Sequence, residues 1–472
     1  MLNGLARNPA LPRKLLLALI HLHGEAAADG LSRRRPLEEA ALAAMLAHSD
    51  HRVRAAVAAN TSVGTEVRLG LLRDPHRIVR NRVVQQRDLP IPESGLVVTL
   101  ERLDWFRQRD LLTPQEELGE IQEEVWRDRR LLRVLARHPE ERYRLMACTF
   151  GEQLEEAERD VLLGDPSAEV RAAIAERLAE DARPRTPAEL DGERGWGRTA
   201  VLVRPLTAEL LDRVLSSGDA EDLYRLTHNR HLPPAAVEAL VNSPDPEVRR
   251  SAAGRADLTA AQAARLAADP DQSVRTAVSV HPALTERQRA AMVPALDDGL
   301  SLQPRRPAPG ETSVWARSVN PILRRWAARD PDLGSADAER LAVDPDDRVR
   351  ATLAEHHPAA PPELLLWAYL SKPGSRSRHR PGFPTEGLAR HAGDENAQVR
   401  LLATLDPEAG PALLETLLTD SHADVRASAA AHPRLPVKRI LALLDDPDLG
   451  GHAAANPALP VTEMESLINF GC

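Results

Sequence analysis

The chain has 472 residues, 43% of them hydrophobic but only 3% aromatic, and its formal net charge is −9. This length exceeds the roughly 250–300 residues at which one compact core stops growing. The negative charge argues against a globally basic surface for nucleic acid or an anionic membrane. Two cysteines, Cys148 and Cys472, are too few for a disulfide framework or a Cys-rich metal site, and their rarity fits a reducing, cytoplasmic location.

The first predicted element is an apolar run, Leu15–Ile20, which follows two basic residues and so resembles a signal peptide. The segment before it, Asn8–Pro12, has the same sequence as Asn456–Pro460 near the other end of the chain. We therefore interpret the run as the second helix of an N-terminal repeat, with secretion as the minor alternative. A stretch this short does not span a bilayer, and we expect no membrane association.

A motif containing Asp-Pro, Val-Arg and His-Pro, as in Asp269–Pro282, recurs along most of the chain. If the valine of each Val-Arg pair is taken as an anchor, neighbouring anchors lie about 24–27 residues apart or near twice that, which is typical of solenoids. The pattern predicts an all-α solenoid with two helices in each repeat. The anchors are Val53, Val79, Val170, Val248, Val274, Val349, Val399 and Val425, with degenerate ones at Tyr143, Tyr224, Leu323 and Leu449.

Each position of the repeat has an expected local role. We expect Asp269 to cap the helix that contains Val274, and Pro270 to open that helix. The residue before a proline is disfavoured in the α region, so His281–Pro282 ends the helix after about two turns. Thr285 then opens the second helix.

An aspartate five residues before the anchor accompanies an arginine directly after it in six repeats. Residues six apart do not share a helical face. We therefore expect each arginine to contact a carboxylate or a helix-end carbonyl in the adjacent repeat, forming a structural ladder. The alternative is an arginine row that binds phosphates, which the matching acids disfavour. The pairs are Asp74 and Arg80, Asp165 and Arg171, Asp269 and Arg275, Asp344 and Arg350, Asp394 and Arg400, and Asp420 and Arg426.

Breaks in the repeat pattern divide what we expect to be one continuous solenoid. In chain order the predicted segments are repeats at 1–86, a divergent helical insertion at 87–133, repeats at 134–180, a loop insertion at 181–205, repeats at 206–296, a Pro-rich insertion at 297–312, repeats at 313–370, a basic loop insertion at 371–386, and C-terminal repeats at 387–472.

The basic loop is the concentrated basic segment of the chain. Lys372, Arg376, Arg378 and Arg380 are candidates for neutralising phosphates or an acidic partner. The favoured alternative is a solvated, disordered insertion, because the loop is rich in Gly, Ser and Pro.

Four aromatic residues flank the breaks in the C-terminal half, where aromatics are otherwise scarce. They are Trp315, Trp326, Trp367 and Tyr369. Trp and Tyr are enriched in binding hot spots, which makes these residues candidates for partner binding. The equally weighted alternative is that they fill gaps where the Ala-rich repeat is interrupted.

The sequence contains no catalytic or cofactor motif in a suitable context. Many of the 16 histidines stand at the ends of repeat helices, so they are explained without a metal. Gly192–Gly197 lacks the Gly-Lys-Ser/Thr of a phosphate-binding loop, and no acidic pair is singled out as catalytic. We expect neither enzymatic activity nor a cofactor.

The repeat unit Leu-x-x-Asp-Pro-x-x-x-Val-Arg-x-x-Val/Leu-Ala-x-His/Asn-Pro resembles the leucine-rich repeat variant family, a relative of HEAT-like solenoids. That resemblance implies a right-handed superhelix of α-helices alternating with short α- or 3₁₀-helices. Some members carry a Cys-rich iron–sulfur module, which the two cysteines here do not match.

Shape and composition favour an interaction scaffold for an unidentified protein or peptide, because extended solenoid surfaces suit such partners. The alternative is a nucleic-acid-binding, HEAT-like solenoid, such as one that processes alkylated DNA bases. The acidic net charge and the locally paired arginines count against this alternative.

Overall fold

The structure is a computed structural model that describes residues 1–86, 89–109, 112–293, 296, 302–305 and 307–470. Within these ranges all regular elements are helices, which confirms the all-α expectation, and the β pairing consists of one isolated bridge between Arg185 and Leu206. Residues 297–301 and Arg306 of the expected Pro-rich insertion lie outside the described residues, as does Cys472.

The helices are short, and most contain between one and three turns. They are α1 (Leu2–Arg7), α2 (Arg13–Arg33), α3 (Glu39–Leu46), α4 (His51–Ala59), α5 (Thr65–Gly70), α6 (Arg77–Val84), α7 (Glu93–Arg107), α8 (Pro114–Arg127), α9 (Arg130–Ala136), α10 (Glu141–Cys148), α11 (Glu156–Leu163), α12 (Ala168–Ala182), α13 (Pro187–Asp191), α14 (Trp196–Leu202), α15 (Ala208–Ser217), α16 (Ala220–Leu226), α17 (Pro234–Val241), α18 (Pro246–Ala252), α19 (Ala260–Ala267), α20 (Gln272–Val278), α21 (Glu286–Met292), α22 (Glu311–Ala316), α23 (Pro321–Ala327), α24 (Ser335–Ala342), α25 (Asp347–His356), α26 (Pro362–Ser371), α27 (Ala397–Arg400), α28 (Pro411–Leu417), α29 (Ala423–Ala430), α30 (Val437–Leu444), α31 (Gly450–Ala454) and α32 (Val461–Phe470). Short 3₁₀ helices occupy Leu71–Arg73, Gly151–Gln153, Arg376–His379, Leu388–His391 and Leu401–Leu405.

The chain forms two compact units. Unit 1 contains residues 1–174 and 385–472, and unit 2 contains residues 175–384. Within each unit the anchor helices, which carry the anchor residues or take the equivalent place in a repeat, pack against the anchor helices of neighbouring repeats. In unit 2, for example, α14 contacts α16, α16 contacts α18, and α18 contacts α20. The anchor valines, including Val248 and Val274, are fully buried between these helices.

Helix capping differs from the sequence expectation by two residues. In α20 the capping residue is Asp271, whose side chain accepts hydrogen bonds from the main-chain NH groups of Ser273 and Val274. The side chain of Asp269 instead accepts the NH of Asp271 at 2.9 Å. Asp269 therefore shapes the turn before the cap, and Pro270 lies outside the helix. Both carboxylate oxygens of Asp269 also accept hydrogen bonds from Arg249 of the preceding repeat.

Two expected loop insertions contain regular structure. Residues 181–205 include α13 and α14, and α14 packs on α16 as an anchor helix does. The basic loop forms a 3₁₀ helix at Arg376–His379 that packs on α26 and buries Ser377 completely. Both segments therefore contain helical turns where the sequence predicted loops. The segment 87–133 is helical as expected, and its α7 contacts both α6 and α9.

The first repeat of unit 1 stacks on the last. Helix α1 packs against α31, and α2 packs against α32. Leu5 and Leu16 share one buried apolar cluster with Ile440 and Met464. Each end of the chain therefore covers the apolar face of the other.

Candidate functional site

The arginines that directly follow five of the anchor residues join neighbouring repeats through buried carboxylates. Nε and Nη2 of Arg249 donate to the two carboxylate oxygens of Asp269 at 2.7 and 2.9 Å. Nη1 of the same arginine donates to the main-chain oxygens of Ser243 and Pro244 at 2.9 and 3.0 Å. We call this arrangement the arginine ladder. Its rungs are Arg54–Asp74, Arg144–Asp165, Arg249–Asp269, Arg324–Asp344 and Arg400–Asp420.

Within a single repeat the arginine and the aspartate are connected differently. Arg80 donates to the main-chain oxygen of Asp74 at 2.9 Å, whereas the carboxylate of Asp74 binds Arg54 of the preceding repeat. Each aspartate of a rung thus offers its main-chain oxygen to one arginine and its side chain to another. The main-chain contact recurs from Arg171 to Asp165, Arg275 to Asp269, Arg350 to Asp344, Arg400 to Asp394 and Arg426 to Asp420.

Four of the rung carboxylates, those of Asp74, Asp165, Asp269 and Asp420, are held in their charged form. The hydrogen bond from Arg400 lowers the pKa of Asp420 and outweighs the opposing effect of burial. For Asp74, Asp165 and Asp269 burial alone would raise the pKa, but hydrogen bonds from the paired arginine and from a main-chain NH outweigh it and lower the pKa. The rung arginines are therefore neutralised within the fold and do not form an open phosphate-binding row.

A second ladder joins the ends of the anchor helices, and we call it the stop ladder. In unit 2 the side-chain amide of Asn229 donates to the main-chain oxygens of Leu202 and Arg204 at 2.8 and 2.7 Å. Nη1 of Arg255 donates in turn to the oxygens of Thr227 and Asn229, both at 2.7 Å. These polar side chains satisfy helix-end carbonyls that would otherwise be buried without a partner.

The aromatic candidates lie mostly inside unit 2. Trp315 and Trp326 are 5% and 7% exposed and meet edge to face with ring centroids 5.6 Å apart. Tyr369 is completely buried. Trp367 is half-buried beneath the guanidinium of Arg350, which lies 4.4 Å from its ring centroid. Of the two alternatives for these residues, their burial supports gap filling rather than a role as exposed anchors.

The basic candidates remain at the surface of an ordered segment. Lys372 and Arg376 are exposed, and Arg378 is half-buried, 5.8 Å from the ring centroid of Tyr369. Arg380 donates to the main-chain oxygen of His356 at 3.2 Å. The Gly, Ser and Pro content of this segment favoured a disordered loop. Composition alone does not reveal that Ser377 is buried within a 3₁₀ helix.

Sequence reasoning missed an aromatic groove between α14 and α16 in unit 2. Trp196, at the start of α14, is 88% exposed, and Tyr224 of α16 is 40% exposed. His228 meets Tyr224 edge to face at 5.2 Å. These three residues line a cavity of about 460 Å³ with Thr199, Glu221 and Arg225. The one available signal was Tyr224, a large residue that stands at a degenerate anchor position.

A second cavity, of about 650 Å³, opens beside the first and shares His228 with it. It is lined by residues of the stop ladder, including Asn229 and Arg255, and also by Arg230 and Asp257. We call the two cavities together the unit 2 groove. Burial and the nearby Arg255 guanidinium lower the pKa of His228, so this imidazole is neutral at pH 7 and has both a hydrogen-bond donor and an acceptor.

The charged side chains of the groove are paired with one exception. Arg225 contacts Asp222 at 3.2 Å and also binds Glu221, and Arg255 donates to Asp257 at 2.6 and 2.9 Å. Arg230 is exposed and makes no hydrogen bond or ion pair with any described residue. The groove therefore presents one uncompensated positive charge next to exposed aromatic rings.

Other kinds of site have less support in the described part of the chain. There, no group of three or more His, Cys, Asp or Glu side chains is placed to hold a metal ion. None of the described helices combines the length and the apolar character needed to cross a membrane. A scan against protein-family models gives no match for the chain, and a search of curated proteins gives none either.

Proposed function

We propose that the chain is an α-solenoid of the right-handed, leucine-rich-repeat-variant type and acts as a non-catalytic protein-interaction scaffold. The repeat residues support this arrangement, since neighbouring repeats pack on one another within each unit and share two hydrogen-bonded ladders. Such arrays suit extended partners because every repeat adds a similar surface at a regular spacing.

The observation that carries the functional proposal is the exposure of Trp196 and Tyr224 on adjacent anchor helices. The chain has only 13 aromatic residues (6 Trp, 3 Tyr and 4 Phe), and most of the tryptophans outside this groove are at least half-buried. An exposed Trp and Tyr lining one cavity are the residue types most enriched in binding hot spots. We assign the unit 2 groove as the partner-binding surface in place of the buried Trp315 and Trp326.

Nucleic acid is the second candidate partner, because exposed aromatics beside an arginine also suit the stacking of unpaired bases. The rung arginines weigh against it, since their charges are taken up by aspartates of the same fold. A non-specific nucleic-acid surface needs many free cations along its length.

Capture of partners from native lysate, with and without nuclease, separates the two candidates. We expect the tagged chain to retain a few proteins in near-stoichiometric amounts after nuclease treatment. Recovery that disappears with nuclease would favour the nucleic-acid alternative.

A further inference from the structure

The unit 2 groove has chemical features that restrict its ligand. The aromatic cavity between α14 and α16 offers Trp196 and Tyr224, and the adjoining cavity offers Arg230. The acids at the groove are already engaged, Glu221 by Arg225 and Asp257 by Arg255. A positively charged ligand would therefore have to break an existing ion pair, whereas a negatively charged ligand would gain a new one.

Arg230 is the cation of the groove that remains available to a ligand. The three guanidinium nitrogens of Arg225 donate hydrogen bonds to Thr199, Asp222 and Glu221. The guanidinium nitrogens of Arg255 donate hydrogen bonds to two main-chain oxygens and to the carboxylate of Asp257. Because a free guanidinium binds a carboxylate with two parallel hydrogen bonds, Arg230 fits an acidic side chain.

The distance between the two features sets the spacing within the ligand. The two cavities are one repeat apart along the row of anchor helices, and packed helices are separated by about 8–10 Å. An extended peptide rises about 3.3 Å per residue, so one repeat corresponds to about three residues.

Resting on the proposed scaffold function, we propose that the unit 2 groove binds an extended, acidic peptide segment of a partner protein. An aromatic or large aliphatic side chain of this segment lies against Trp196 and Tyr224. An aspartate or glutamate about three residues away binds Arg230. The neutral imidazole of His228, which lines both cavities, faces the peptide between these two positions.

The test is a selection of displayed random dodecapeptides on the full-length protein, with the Trp196→Ala, Arg230→Glu double variant for counter-selection. We expect the retained peptides to carry an apolar residue and an acid about three positions apart. On Arg230→Glu protein the same selection should exchange the acid for Lys or Arg. This reversal also shows that the variant is folded.

The best selected peptide, labelled and amidated at its C-terminus, then gives affinities by fluorescence anisotropy. Arg230→Ala should weaken binding roughly tenfold, the effect of losing one charge-assisted hydrogen bond pair. Replacing the acidic residue of the peptide by its amide should weaken binding to the natural protein by the same factor. The same replacement should not further weaken binding to the Arg230→Ala variant. Arg287→Ala is the matched control, since Arg287 is exposed on α21 of the same unit, outside the groove, and should leave affinity unchanged within about twofold.

Three results would overturn the inference: no peptide enriched over the double variant, enriched peptides without an acid, or binding that requires a free C-terminal carboxylate. Failure of the inference is distinct from failure of the scaffold function. If lysate proteins are captured through Trp196 but the selected peptides lack acids, the scaffold function stands and the acidic ligand is wrong.

Discussion

The side-chain amide of Asn8 donates to the main-chain oxygen of Asn456 at 2.6 Å and to that of Ala454 at 3.1 Å. The side-chain amide of Asn456 in turn donates to the main-chain oxygens of His432 at 2.8 Å and Ala430 at 2.9 Å. The stop ladder therefore continues from the last repeat of unit 1 into the first with unchanged geometry. The two repeats at the chain ends stack in the register of internal neighbours.

Replacement of Asn8 by alanine tests this continuity. The change leaves two buried carbonyls without a donor, and we expect a loss of about 1–3 kcal/mol in the free energy of unfolding of unit 1. Asn60→Ala is the control, because Asn60 makes the same contacts to Leu31 and Arg34 between consecutive repeats. Urea unfolding should give similar losses for the two variants. A costly Asn60→Ala with a neutral Asn8→Ala would mean that the chain ends separate in solution.

The close approach of α1 and α31 predicts opposite effects for two glycines. A Cβ on Gly4 would lie 1.8 Å from the main-chain oxygen of Gly451, whereas a Cβ on Gly451 would meet nothing within 4 Å. Gly4→Ala forces the helices apart and should cost about 1–3 kcal/mol. Gly451→Ala should stabilise the protein by up to about 1 kcal/mol through helix propensity. Thermal unfolding of both variants gives the comparison, and equal effects would contradict the packing.

A double-mutant cycle on Arg324 and Asp344 measures one rung of the arginine ladder. Their side chains are only 14% and 4% exposed, and we expect a coupling of about 1–3 kcal/mol in the free energy of unfolding. The exposed pair Arg33 and Asp29, at 3.0 Å, is the control and should couple by less than about 1 kcal/mol. Equal couplings would show that rung burial adds nothing.

Acid should destabilise the protein through the rung carboxylates. The pKa values of Asp74, Asp165, Asp269 and Asp420 lie below the ordinary value of 3.8 in the folded state. Their contribution to stability is complete above about pH 4 and is lost as the pH falls from there through the folded-state pKa values. Unfolding free energies between pH 7 and pH 2 should show this decline. The Asp420→Asn variant should show a shallower decline, and an identical slope would contradict the assignment.

The sequence predicted the local features of the repeat, because an anchor valine and a proline-limited helix are set by residues a few positions apart. It did not identify Asp271 as the cap of α20, since two aspartates of one turn compete for that role. It also missed α14, where Gly197 replaces the anchor valine and the helix packs on α13 and α16. Local signals do not encode these contacts.

The stacking of Gly4 on Gly451 and the exposure of Trp196 depend on which repeats become neighbours. Which repeats become neighbours depends on the whole chain and not on any short segment. The residues around the buried Trp315 and the exposed Trp196 therefore do not show which of the two is exposed. The candidate site was therefore identified only from the structure, although the repeat that forms it was predicted from the sequence.

The most direct test of the scaffold function compares two exposed tryptophans. Trp196 lies in the unit 2 groove, and Trp126 of α8 in unit 1 is similarly exposed, at 84%. Each is replaced by alanine, and nuclease-treated lysate capture is quantified by mass spectrometry. We predict that the Trp196→Ala variant captures at least about tenfold less protein than the natural chain, as expected for a hot-spot residue. The Trp126→Ala variant should capture as much as the natural chain. Unchanged capture by folded Trp196→Ala protein would contradict the assignment of the unit 2 groove as the binding surface.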